Sequence, residues 1–183
     1  MSSHHIDGKG ILKVTITAFV LAMIIRTFVF APILIQGDSM KPTLENNDRV
    51  VLNRLSTFQS PDRFDIVVFH APNENKDYVK RIIGLSGEKI EYKDDVLYID
   101  NHPVEEPYLQ KGKKLLQSGE FTYDFTLEEV IGRATVPEGE VFVMGDNRRY
   151  SKDSRTIGTI PIEDIVGEAT VIYWPFSHFK KLE

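Results

Sequence analysis

"LIQGDSMKPTLENNDRVVL", Leu34 to Leu52, follows an apolar run and opens a polar, strand-like region. Gly37, Asp38, Ser39 and Pro42 are turn formers, and a turn alone would account for them. A serine displayed in such a turn could also serve as a nucleophile, and the flanking segments bear on which it is. Downstream, "DRVVLNR" (Asp48–Arg54), "FDIVVFH" (Phe64–His70) and "DYVKRIIG" (Asp77–Gly84) are short, β-branched and bounded by Pro, Asn, Asp or Gly. That is the pattern of strands. "EKIEYKDDVLYID" (Glu88–Asp100) predicts a hairpin turning near Lys93, Asp94 and Asp95. "LQKGKKLLQSGE" (Leu109–Glu120) has no period and predicts a surface loop, and "TLEEVIG" (Thr126–Gly132) predicts one short helix. "GEVFVMG" (Gly139–Gly145) and "GEATVIYWP" (Gly167–Pro175) return to strand pattern. The expected fold is mostly β: one N-terminal apolar helix, then a β-rich core at 32–88 and 141–183, with a small β subdomain inserted at 89–140.

At 183 residues the chain is long enough for one domain with a real core. A net charge of −5 argues against a nucleic-acid binder, which would show a basic face. Cysteine is absent, which removes disulfides, thiol catalysis and Cys-ligated zinc together. His4 and His5 are adjacent and suit either a metal contact or a flexible tail, while His70, His102 and His178 are scattered. No HExxH motif or Walker loop is present, and no metal or other cofactor is expected.

Val14 to Ile35 reads "VTITAFVLAMIIRTFVFAPILI", with Arg26 its one charge. The stretch 11–31 predicts a transmembrane anchor, since about 20 apolar residues cross ~30 Å of hydrocarbon as a helix. Arg26 lies near one end, where its head can reach the lipid headgroups. Pro32 disfavours helix at Ala31 and marks the exit. A cleaved leader competes, because Val29-Phe30-Ala31 resembles a cleavage site. Pro32, a poor residue after a scissile bond, favours an uncleaved anchor. Basic residues flank the segment almost equally: Lys9 and Lys13 before it, Lys41 and Arg49 after. The expected arrangement is a short cytoplasmic tail at 1–10 and a domain on the extracytoplasmic side of the cell membrane, since long domains translocate largely regardless of charge. Membrane lipid is thus an expected partner.

Two S-x-x-K matches, "SGEK" (Ser86–Lys89) and "SHFK" (Ser177–Lys180), lack the S-D-N and K-T-G companions that such sites require. His70 could activate a serine but has no supporting motif. Lysine is the other base. A free lysine has a pKa of about 10.4, and lowering it to about 8 by desolvation costs roughly 3 kcal/mol. Lys80, flanked by Tyr78, Val79, Ile82 and Ile83, is the lysine whose neighbours suit burial, although an exposed strand lysine fits the spacing too. "VMGDNRRYSKDSRTIG" (Val143–Gly158) follows a strand with a density of polar groups unusual for a simple turn. Such a loop can brace a neighbouring lysine and tie itself down with Arg–Asp pairs.

Three blocks, in order and behind an apolar segment, carry a resemblance: "GDSMKPTL" (Gly37–Leu44), "YVKRIIGLSGE" (Tyr78–Glu88) and "MGDNRRYSKDSR" (Met144–Arg155). The chain resembles the bacterial type I signal peptidases, membrane-anchored Ser/Lys proteases, and its single apolar segment and compact insertion look like the Gram-positive form. The resemblance runs from about Lys9 to Pro175. It implies a serine endopeptidase in which Ser39 is the nucleophile and Lys80 the general base. It implies that Ser151 hydrogen-bonds the lysine amine, that Asp153 and Arg155 pair to support the loop, and that Asp146 also supports it. Some relatives place a serine two residues before the nucleophile as an oxyanion donor; here Gly37 excludes a side-chain donor. Ser86 stands where many have proline. The implied substrates are signal peptides of exported preproteins, cut after Ala-x-Ala through an acyl-enzyme, in association with the secretion machinery. The substrate would add as an extended strand beside Ile33–Gly37 and Asp77–Val79. Ile33, Ile35, Met40 and Val79 would line its pockets, with Gly37 and Asp77 at the same groove. "VIYWPFSHFKK" (Val171–Lys181) suits either a membrane-interface contact or a strand followed by a frayed tail. A soluble self-cleaving repressor of related fold fits poorly with the apolar N-terminus. An inactive tethered binding protein fits poorly with Ser39 and Lys80 both present.

Overall fold

The computed structural model describes residues 8–72 and 74–182; the side chains of residues 24–28 and 58 lie outside that description, as do His4 and His5. A helix, α1 (Gly8–Phe28), precedes strands β1 (Phe30–Leu34), β2 (Arg49–Asn53), β3 (Ile66–His70), β4 (Asp77–Gly84), β5 (Ile90–Lys93), β6 (Val96–Ile99) and β7 (His102–Val104). Then come α2 (Gln110–Leu115), β8 (Phe125–Thr126), α3 (Leu127–Ile131), β9 (Glu140–Met144), α4 (Ser154–Ile157), β10 (Ile160–Pro161), β11 (Ile165–Trp174) and β12 (Lys180–Lys181).

The mostly β expectation holds. Strands fall into an eight-stranded sheet of order β1-β2-β11-β3-β4-β9-β10, with β12 on β11, and a four-stranded sheet of order β7-β6-β5-β8. The second sheet lies in the chain between β4 and β9 of the first. Its β5–β6 hairpin turns through Asp94 and Asp95, both at positive φ, as a two-residue hairpin turn requires. Ile83, Phe142 and Met144 of the large sheet pack with Ile90, Tyr92, Leu97 and Phe125 of the small one. A second cluster, with Ile35, Met40, Leu44, Val50 and Ile172, seats the turn that bears Ser39.

α1 ends at Phe28, three residues short of the expected exit at Ala31. Pro32 is not a helix stop but a strand residue: it faces Val51 in the β1–β2 pair. Proline is tolerated there because β1 is an edge strand with no further neighbour for its missing N–H. Cross-strand pairing, which helix patterning cannot register, thus sets the boundary. Among the described residues no helix is long and apolar enough to cross a membrane. The helix nevertheless exposes Ile11, Leu12, Val14, Ile16, Phe19, Val20, Leu21 and Met23. Arg26, expected to reach toward headgroups, lies outside the described side chains.

One other expectation is corrected. The segment 109–120 is not wholly a loop: Gln110–Leu115 is helical. Buried Gly112 permits this, since a Cβ there would stand 2.7 Å from the Phe121 ring. Close packing on Phe121, rather than an apolar period, shapes the helix. At the C-terminal end, where a strand with a frayed tail is one of two readings, the chain is held in place through Leu182. β12 pairs with Val171 and Ile172, and Leu182 is buried, while Trp174, Phe176 and Phe179 remain exposed.

Candidate active site

Ser39 and Lys80 are 41 residues apart in sequence, yet Lys80 Nζ donates to Ser39 Oγ at 2.9 Å and to Val79 O at 3.0 Å. The site is assembled where the turn after β1 meets the first half of β4. Lys80 faces Val67 across the β3–β4 pair, and only 4% of it is exposed. Burial lowers its pKa from the usual lysine range to about 8, against the opposing pull of the Asp153 and Asp146 carboxylates. Its ammonium also lies 4.9 Å from the centre of the Tyr78 ring. A buried, partly neutral amine within hydrogen-bonding reach of a hydroxyl can accept the hydroxyl proton.

The turn is held from two directions. Gly37 adopts φ +94°, and its N–H donates to Asn46 Oδ1 at 2.9 Å. A side chain at that position would be strained by the backbone alone, which accounts for the glycine. From the other side, the Asn147 N–H donates to Ser39 O and Asn147 Nδ2 donates to Asp38 O, each at 3.0 Å. Thr43 donates a short hydrogen bond to Asp146, whose carboxylate also accepts from Arg81 Nε at 3.0 Å and Nη2 at 2.9 Å. Arg81 and Asp146 have no side-chain exposure. Such a desolvated two-point pair fixes geometry more than it adds stability.

The loop following β9 brings most of its expected residues together. Arg155 Nη2 lies 2.8 Å from Asp153 Oδ2, and Asp153 Oδ2 accepts the Gly145 N–H at 3.0 Å. Asp153 also caps α4 by accepting from the Arg155 N–H. Ser151 departs from expectation. Its hydroxyl is buried and has no hydrogen-bond partner, so the anticipated bond to the lysine amine is not formed. The lysine's bonds run to Ser39 and Val79 instead. His70, the alternative base, pairs at 2.7 Å with Asp77 on an exposed edge.

A cavity of about 470 Å³ opens over Ser39 and Lys80, and Ile33, Ile35, Gly37, Met40, Asp77 and Val79 all line it. Its walls end in open strand edges. β1 is an edge strand, and β9 pairs with β4 only from Arg81 onward, leaving 77–80 with β3 alone. Unpaired edges on both sides of an apolar cleft can accept an extended chain. Among the described residues no cluster of three or more His, Asp or Glu side chains could hold a metal ion.

Sequence patterning left Arg81, Thr43 and the clamping role of Asn147 unassigned. A charged residue beside the expected base, in an otherwise apolar strand, was the available signal for Arg81.

The family described as signal peptidase, peptidase S26, matches residues 9–174. A signal peptidase I of Bacillus caldolyticus is 51% identical over 85% of this chain and 85% of its own. A signal peptidase IB of Staphylococcus aureus is 41% identical over 89% of this chain and 87% of its own. The crystal structure of a signal peptidase I from Enterococcus faecalis V583 superposes with a TM-score of 0.59 at 43% identity, covering 61% of this chain and 98% of that one. With this cleft, and with likeness over nearly its whole length, the chain belongs to the signal peptidase family, peptidase S26, and is an enzyme.

Proposed function

We propose that the chain removes signal peptides from exported preproteins with Ser39 as nucleophile and Lys80 as general base. The observation that carries this reading is the 2.9 Å contact from Lys80 Nζ to Ser39 Oγ at a buried amine. The neutral amine takes the Ser39 proton as Oγ attacks the scissile carbonyl. The lysine, now protonated, passes the proton to the leaving amine, and the acyl-enzyme remains. Lys80 then deprotonates a water, which releases the signal peptide and restores Ser39. No metal takes part in these steps. Asp146, Asp153 and Arg155 support the site from behind rather than touching substrate.

The substrate strand lies between Ile33–Gly37 and Asp77–Val79, pairing with both open edges. Ile33, Ile35, Met40 and Val79 make shallow apolar pockets suited to small side chains, as in an Ala-x-Ala end. In this reading 32–88 and 141–183 form the catalytic core, and 89–140 is an inserted subdomain. α1 and its flanking apolar residues hold the enzyme at the cell membrane, with 1–10 inside and the catalytic domain outside. The support is its exposed apolar surface, for which the described protein offers no covering partner. Tethering would raise the local concentration of membrane-held preproteins.

The test is cleavage of one model preprotein by wild type, Ser39→Ala and Lys80→Ala in detergent, from about pH 6 to about pH 10. Wild type should cut after Ala-x-Ala and both variants should be inactive. Near-normal activity in Lys80→Ala would move the base elsewhere, with His70 examined first. An inactive wild type would favour the binding-protein reading.

A further inference from the structure

A second cavity, of about 400 Å³, abuts the first across the turn that carries Ser39. The boundary runs through consecutive residues. Ser39 and Met40 line the first cavity, Lys41 and Pro42 the second; Lys152 lines the first, Tyr150 the second, with Ser151 between. Asn147, which clamps the Ser39 and Asp38 carbonyls, forms part of the second wall. The opposite wall is α2. Gly112 brings that helix close, since a Cβ there would lie 3.5 Å from the Pro42 ring.

The lining combines apolar surface with a basic rim. Leu115 and Tyr150 are 73% and 78% exposed and line the same groove, so they form one apolar patch rather than scattered side chains. Phe121 and Leu116 lie beneath them. Lys41, Lys111 and Arg149 stand on the rim against one carboxylate, Glu45. Lys41 pairs with Asp38 at 3.0 Å, but Arg149 is held by the carbonyls of Ser118 and Glu120, which leave its charge uncompensated. Lys111 is exposed on α2 at the same rim. A net basic rim on a chain of charge −5 is a local concentration of positive charge, not a general property of the surface.

We propose that this groove receives the segment of the preprotein that follows the scissile bond, and that its rim selects acidic residues there. The inference rests on the Ser39/Lys80 reading. If the acyl half of the substrate occupies the first cavity, the leaving half must depart across the Ser39 turn, where the second cavity begins. The apolar floor holds the first side chains after the cut, and Lys111 and Arg149 face the carboxylates that follow. After cleavage the new α-amine faces the same positive rim, which favours departure of the product.

The test uses the full chain in detergent micelles and model preproteins that differ only in the few residues after the cut. One carries Asp and Glu there, the other Lys. The acidic substrate should be preferred by roughly two- to fivefold per rim charge in kcat/KM, mainly through KM. Lys111→Glu with Arg149→Glu should reverse that order. Lys111→Glu alone, on the exposed face of α2, should still narrow it if the double variant fails to fold. Equal cleavage of both substrates by wild type, or a preference that survives these variants, overturns the groove while leaving the peptidase reading standing. A wild type that cuts neither, even with an optimal Ala-x-Ala end, overturns both.

Discussion

Asn147 grips the two carbonyls that flank the Ser39 Cα: its N–H donates to Ser39 O and its side-chain amide to Asp38 O. The proposed nucleophile is therefore positioned by a loop more than a hundred residues later in the chain, and the hydroxyl is free to meet Lys80. Two donors on adjacent carbonyls restrict the turn to one rotation, which a single bond would not.

Gly145, the second residue of the same loop signature, leaves no room for a side chain at this seat. An added Cβ would overlap both the Ser39 carbonyl and the Ser151 hydroxyl. Gly145→Ala should displace the Ser39 turn and lower kcat by about 10²-fold, the scale of an ångström's misplacement. Single-turnover cleavage alongside thermal melting checks this: the melting temperature should fall too, but the rate loss should persist at temperatures where the variant is fully folded.

The lysine makes opposite predictions for activity and stability. Burial holds the Lys80 pKa near 8, so kcat/KM should rise as pH increases through about 8 and level off above it. The unfolded chain binds this proton up to a pKa of about 10.4. Below pH ~8 both states hold the proton and the folded state bears the full desolvation cost, about 3 kcal/mol. That cost is relieved as pH rises from about 8 to about 10.4. Lys80→Met should therefore be inactive yet more stable than wild type at pH 7, with the difference shrinking toward pH 10; urea titrations at the two pH values measure it.

Arg81 and Asp146 are both fully buried, and each leaves a stranded charge if the other is removed. Arg81→Met should lose about 3–5 kcal/mol of stability. Adding Asp146→Leu should restore much of it, because two apolar side chains replace two desolvated charges. Cleavage should stay low in the double variant, since Thr43 loses its acceptor and the Ser39 turn loses a tie. Denaturant unfolding and cleavage assays on the three proteins separate the two effects.

His178 joins the C-terminal segment to the loop before β2: its Nδ1 lies 2.9 Å from Asp48 Oδ1, and Glu45 stands 4.0 Å from its other nitrogen. The Asp48 hydrogen bond raises the His178 pKa above its usual 6.5. A raised folded-state pKa means stabilisation that is complete below the unfolded value and is lost as pH rises through the folded one. Hydrogen exchange at β12 should accelerate from pH 6 to pH 8 beyond its intrinsic increase, and His178→Gln should abolish that excess.

The longer strands β2, β3, β4, β9 and β11, the hairpin at Asp94–Asp95, the short helix at Leu127–Ile131 and the turn at Gly37–Pro42 were legible, because each depends on local periodicity or on residues with narrow backbone preferences; β1 and the two- and three-residue strands were not. The burial of Lys80 was not legible in the same way: its strand neighbours fitted an exposed lysine as well, the resemblance singled it out, and the packing of β4 supplies the desolvation that lowers its pKa. The hydrogen bond expected from Ser151 was not formed, because a motif identifies residues without fixing which acceptor a rotating hydroxyl will face.

By itself the sequence determined the β-rich class, the pairing of a turn serine with a strand lysine as candidates, and the dense polar loop near them. Their meeting at 2.9 Å, the clamp by Asn147 and the buried Arg81–Asp146 pair were decided only by tertiary structure. So were the early end of α1 at the β1–β2 pairing and the groove behind α2. The reason is common to all of them. Local patterning reports what one segment prefers, whereas sheet order and register set which distant segments share an edge, and desolvation acts only on what that packing encloses.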